Sequence, residues 1–143
     1  MRRLLLALAL LLAAPAAAAA GPGFTVPSGN TTCGILAEGD VEGARAGLYC
    51  YSSYFTSGPR YDGVGVVRLG RTGKAKRAGA GNDLLLAIGG WEGEDAPRSP
   101  RPVLGYRERF ERRGYTCTNR RTGLTCRRGA HGFFLLRESR RLF

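Results

Sequence analysis

The sequence predicts an all-β or β-dominated fold: a small disulfide-stapled sandwich or barrel-like domain behind a signal peptide. Three observations carry that reading. A cysteine motif occurs twice, as Thr32-Cys33 running to Gly47-Leu48-Tyr49-Cys50 and as Thr116-Cys117 running to Gly123-Leu124-Thr125-Cys126. Short β-branched and aromatic runs alternate with Gly, Pro and Asn turns, as closely spaced strands do. After residue 20 no apolar stripe of 3.6-residue period emerges.

Met1-Arg2-Arg3 is a basic n-region, Leu4 to Leu12 an unbroken apolar h-region, and Pro15 with the alanines to Ala20 supplies small residues for a signal peptidase. The apolar stretch is about half of the ~20 residues needed to span a bilayer. The expected division is a signal peptide at 1–20, cleaved before Gly21, and a single exported β-rich domain at 21–143 with a basic C-terminal third. The expected location is periplasmic or secreted, where disulfides persist.

Cys117 and Cys126 flank two short arms around a turn containing Gly123, which places them opposite each other across a hairpin. Cross-strand Cα separations of ~4.5–5.5 Å suit a disulfide. Pairing of Cys33 with Cys50 follows by elimination and analogy. Zinc is disfavoured because neither spacing is a short knuckle, and thiol redox catalysis because C-x-x-C is absent.

Phe24-Thr25-Val26 reads as a strand entering the Pro27-Ser28-Gly29-Asn30 turn, and Thr31 to Leu36 as the next strand. Glu38 to Gly43 is an acidic loop. Ala46 to Tyr51 returns with Leu48 and Cys50 on one face and Tyr49 and Tyr51 on the other. Val64 to Leu69 is a strand and Gly70 to Asn82 a loop. Leu84 to Ile88 is too short a run for periodicity to decide, and its length favours a strand. Glu92 to Pro102 is a loop. Val103 to Tyr106, Gly114 to Thr118, Leu124 to Arg127 and Gly132 to Leu136 are strands, while Arg107 to Arg113 suits one or two helical turns. Such short strands, without lipid-facing alternation, argue against an outer-membrane barrel.

The formal charge is +11, and +9 without Arg2 and Arg3. Residues 21–95 hold 7 basic and 8 acidic side chains, whereas 96–143 hold 13 arginines against Glu108, Glu111 and Glu138. That asymmetry suits either attraction to a polyanion or a plain solvated basic face in a chain heavy in Ala, Gly, Arg and Pro. The candidate anion-binding residues are Arg107, Arg109, Arg112, Arg113, Arg120, Arg121, Arg127 and Arg128. Tyr106, Phe110 and Tyr115 interleave with them, as on surfaces that stack bases or sugars.

Phe24-Thr25-Val26-Pro27-Ser28-Gly29-Asn30-Thr31-Thr32-Cys33, Gly123-Leu124-Thr125-Cys126 and His131-Gly132-Phe133-Phe134-Leu135 resemble a family of small exported bacterial proteins. That family is a domain of unknown function with a signal peptide, a P-S-x-N-x-x-C opening, a late G-[LV]-x-C and a closing G-H-G-F before a terminal Leu-Phe. Here Ala130 stands where the family more often has Gly, and additional central cysteines are absent. The resemblance implies export and disulfides and supplies no catalytic residue.

The expected function is therefore non-enzymatic binding of an anionic envelope or extracellular polymer by a monomer without cofactor or metal. An envelope protein is the other partner class, with the hairpin tip or the 70–82 loop as an inhibitor-like plug. The enzymatic alternative is a ribonuclease-like hydrolase with His131 as acid, Glu108 or Glu111 as base, and arginines on phosphate. His131, the sole histidine, also suits a plain turn position packed on Phe133. No G-x-S-x-G marks a serine nucleophile, and Glu92, Glu94 and Asp95 read as a solvated loop.

Overall fold

Among the described residues, ten short strands build two antiparallel five-stranded sheets, each a meander in which every strand pairs with its neighbour in sequence. The computed structural model describes residues 21–55, 65–79, 81–89, 101–137 and 139–143, so the readings on 1–20 and on most of 92–102 lie outside the described residues. The first sheet contains β1 (Gly23–Thr25), β2 (Thr31–Leu36), β3 (Gly47–Ser52), β4 (Val66–Leu69) and β5 (Lys76–Ala78). The second contains β6 (Arg109–Arg112), β7 (Tyr115–Arg120), β8 (Gly123–Arg128), β9 (His131–Leu136) and β10 (Ser139–Leu142).

Both disulfides close as expected, Cys33 to Cys50 across β2 and β3 and Cys117 to Cys126 across β7 and β8. Each joins residues directly opposite in the ladder, with a Cα separation of 4.1 Å in both cases. That closeness belongs to non-hydrogen-bonded pairs, where side chains meet.

The repeated motif is the trace of a repeated register. In the first sheet Phe24 faces Cys33, Cys33 faces Cys50 and Cys50 faces Val67. In the second, Phe110 faces Cys117, Cys117 faces Cys126 and Cys126 faces Phe133. One row further along, Leu48 faces Leu69 and Leu124 faces Leu135. These rows form a single core between the sheets, with Phe24 and Phe110 in contact at 4.9 Å between ring centroids. The arrangement is a sandwich with all four cysteines inside it.

The opposite face of the first sheet carries a second cluster in which Leu36, Tyr49 and Val66 pack against Leu84 and Ile88. Leu84 and Ile88 belong to a helix, α1 (Asn82–Ile88), which corrects the expected strand. Their i, i+4 spacing puts both on the buried side, while Leu86 is exposed. Gly89 stops the helix in the left-handed conformation at φ 77°, its N–H returning to the helix carbonyls.

Arg101 completes this corner. Its Nε donates to the Ile88 carbonyl at 2.6 Å, Nη2 to that of Ala87 at 2.9 Å, and Nη1 to that of Gly21 at 2.6 Å. The helix end and the first described residue are thus tied to one guanidinium, which lies beside Gly23, Gly34 and Gly89.

Three further expectations are corrected. Arg107 to Arg113 is not helical but supplies the edge strand β6. The 70–82 loop contains β5, another edge strand. Val103 to Tyr106 is reduced to one parallel bridge between Thr25 and Val103, held by Thr25 N–H to Pro102 and Leu104 N–H to Thr25. β10 was not expected at all.

Candidate functional site

Alternation in the second sheet sends Phe110, Cys117, Cys126, Phe133 and Leu142 inward, so the intervening residues face out. Two outward rows follow from the register. Glu111, Thr116, Arg127 and Gly132 form one, and Arg109, Thr118, Thr125, Phe134 and Arg141 the other. Among the described residues no helix or strand packs over this face, whereas the first sheet has α1 over its own.

The face is built of guanidinium groups laid on aromatic rings. Arg127 lies over Phe143 at 4.9 Å from the ring centroid, and Arg141 stands 5.8 Å from Phe143 and 5.9 Å from Phe134. A cation–π contact of this kind steadies the guanidinium against the ring, and its N–H groups can fork onto carboxylate or phosphate oxygens. Thr116, Thr118 and Thr125 add hydroxyls between these cations and the edge strand, where Arg109 is ion-paired with Glu111.

The meander divides the eight candidate arginines. Arg112, Arg113, Arg127 and Arg128 stand toward the end of the sheet that holds the β6–β7 and β8–β9 turns. Arg107, Arg109, Arg120 and Arg121 stand toward the other end, with the β7–β8 turn. Arg128 is engaged in packing: it lies over Tyr115 at 4.7 Å and donates to the carbonyls of Arg71 and Arg113. Arg107 and Arg113 adopt φ of 69° and 49° at the turns bounding β6, so backbone shape fixes where their side chains start. Arg141 and Phe143 were missed in the sequence because β10 was, and Phe134, on the expected strand 132–136, was missed as their partner; Leu142 packing on the core is the apolar signal that could have placed β10.

The groups named for hydrolysis are not assembled. His131 opens β9 and faces Arg128, at the turn end of the sheet. Glu108 lies before β6 at the opposite end, accepting from the Gly105 N–H at 2.7 Å. Glu111 lies on β6, three strand spacings or ~14 Å from β9.

No family model, no curated protein and no solved structure matches this chain. The site therefore rests on its geometry.

Proposed function

We propose that this chain is an exported, non-enzymatic domain that binds an anionic envelope or extracellular polymer on the outer face of its second sheet. The observation that carries the reading is the stacked array of Arg127 and Arg141 on Phe143 and Phe134, on a face no other described element covers. Closed disulfides in the core form and persist in oxidising compartments, which suits export. Among the described residues no helix is long and apolar enough to cross a membrane.

An end-labelled RNA oligonucleotide, used as a generic polyanion, should give a salt-sensitive and time-independent anisotropy rise with the oxidised protein. Each lost phosphate contact lowers the slope of log affinity against log salt by about 0.7 for a single strand, so Arg127→Gln with Arg141→Gln should flatten it by about 1.4. Equal affinity at low and physiological salt would reject the proposal. A signal that decays with time would instead favour hydrolysis and call for His131→Ala.

A further inference from the structure

The repeat is broken at one end of the sandwich, and the break leaves a cavity of about 210 Å³ between the sheets. Aligning the two meanders on their cysteines makes Thr31 the counterpart of Tyr115, and Ser52 the counterpart of Arg128. At one end Arg128 lies over Tyr115 and reaches across to the Arg71 carbonyl of the first sheet, filling the gap between the layers. At the other end the equivalent positions hold only two small hydroxyl residues, Thr31 donating to Ser52 at 3.3 Å. The space vacated by a Tyr-Arg pair is the cavity.

Its floor and rim differ in chemistry. Val26, Leu124 and Leu135 supply apolar floor, and Ser52, Thr31 and Asn119, all buried, supply hydroxyls and a carboxamide. Asn119 replaces the Ile35 of the first repeat, so a row that is wholly apolar in one sheet becomes polar where it meets the cavity. The rim is two tyrosines, each under an arginine: Arg121 over Tyr106 at 5.6 Å and Arg137 over Tyr54 at 5.8 Å. Asn30 donates its carboxamide N–H to the Tyr54 hydroxyl at 2.6 Å, which fixes that ring and leaves the phenolic proton to be donated.

We infer that this cleft binds one carboxylated sugar unit of an acidic polysaccharide. The inference rests on the proposed polyanion binding only in taking that unit to be part of a polymer. The volume falls below the ~300 Å³ of a drug-sized site, which suits a single ring. The Thr31 and Ser52 hydroxyls and the oxygen of the Asn119 carboxamide, whose N–H donates to the Leu104 carbonyl at 2.9 Å, complement the hydroxyls of a pyranose. Guanidinium forks on both rims match a planar carboxylate. A nucleobase is the poorer fit, because an arginine already lies over each tyrosine and the floor offers hydroxyls and a carboxamide, not a further aromatic surface.

The test follows tri-galacturonate binding by backbone amide shifts and calorimetry, with its methyl ester and uridine monophosphate as comparison ligands. Shifts should cluster at Tyr106, Arg121 and Gly123, and affinity should fall at least ~10-fold on esterification, and equally in Arg121→Ala or Arg137→Ala. Both arginines are exposed, so neither change threatens folding. Equal binding of the ester, shifts confined to the outer face, or tighter uridine monophosphate binding in the cleft would each overturn the inference. The two ideas fail separately. If only this one is wrong, wild-type RNA binding stays salt-sensitive while tri-galacturonate is indifferent to Arg121→Ala; if polyanion binding is wrong, RNA gives no salt-sensitive signal whatever the cleft does.

Discussion

Replacing Cys117 and Cys126 together by alanine is expected to lower stability by about 2.5 kcal/mol, and Cys33 with Cys50 by about 3 kcal/mol, from the loops of 9 and 17 residue separations that they close. Alanine is the informative replacement, since serine would bury two hydroxyls at positions that are fully inaccessible. The two losses together approach half of the ~5–15 kcal/mol net stability of a typical domain. The doubly depleted chain should therefore melt far below the wild type, or fail to fold at about 37 °C. Thermal melts of the oxidised, reduced and substituted proteins measure this. A shift under ~2 °C for either pair would mean that the apolar rows around it suffice, and that the disulfides matter for something other than stability.

Large and nearly equal effects follow from where the disulfides sit. Each disulfide sits second-to-third strand in its own five-stranded meander, inside one shared core, next to a phenylalanine that touches its counterpart in the other sheet. Loosening one row therefore removes the support on which the other packs. Double-mutant coupling between the two pairs is the expected signature, because contacting residues are rarely additive.

The central strands were readable because burial on one or both faces dictates their residues. Thr31 to Leu36 and Gly47 to Ser52 are almost wholly buried, and β7 to β9 alternate in the period the sheet demands. Three of the four edge strands were not readable, whereas the fourth, β1, was read as the strand through Phe24 and Thr25. β5, β6 and β10 are Lys76-Arg77-Ala78, Arg109-Phe110-Glu111-Arg112 and Ser139-Arg140-Arg141-Leu142, three charged segments that look like loops or helix surface. Charge on an edge strand keeps it from pairing with another chain, and the same charge hides it from pattern reading. α1 was hidden for another reason: five apolar residues give no periodicity, and what selects helix is the bed of Leu36, Tyr49 and Val66 beneath it.

The basic character of the candidate surface was likewise legible and its layout was not. Arginine-rich hairpins look like one cluster along the chain, yet consecutive turns of a meander fall at opposite ends of the sheet. Arg120 and Arg121 are therefore parted from Arg112 and Arg113, and each end acquires neighbours remote in sequence, Tyr54 at one and Arg71 at the other.

Arg101→Met is expected to cost about 3 kcal/mol and to release α1 first, because three backbone carbonyls lose a charged donor at once. Burial pushes the Arg101 pKa below its ordinary value, yet a guanidinium is so strong a base that the clamp stays cationic near neutral pH. The last carbonyls of a helix carry partial negative charge, which this cation meets directly. Lysine cannot fork onto Ile88, Ala87 and Gly21 together, so Arg101→Lys should recover less than half of the loss. Amide exchange should show α1 and the 21–23 segment opening in the variant while the disulfide-bearing strands keep their protection. The glycines provide the decisive control. A Cβ at Gly34 would lie 2.9 Å from the guanidinium Nη2 and 3.0 Å from the Ile88 Cα, so Gly34→Ala should expel the same side chain and release the same helix. If the two substitutions act on one clamp, Gly34→Ala in the Arg101→Met background should cost much less than it does alone; full additivity would show that Gly34 serves sheet packing and that the slot around Arg101 is incidental.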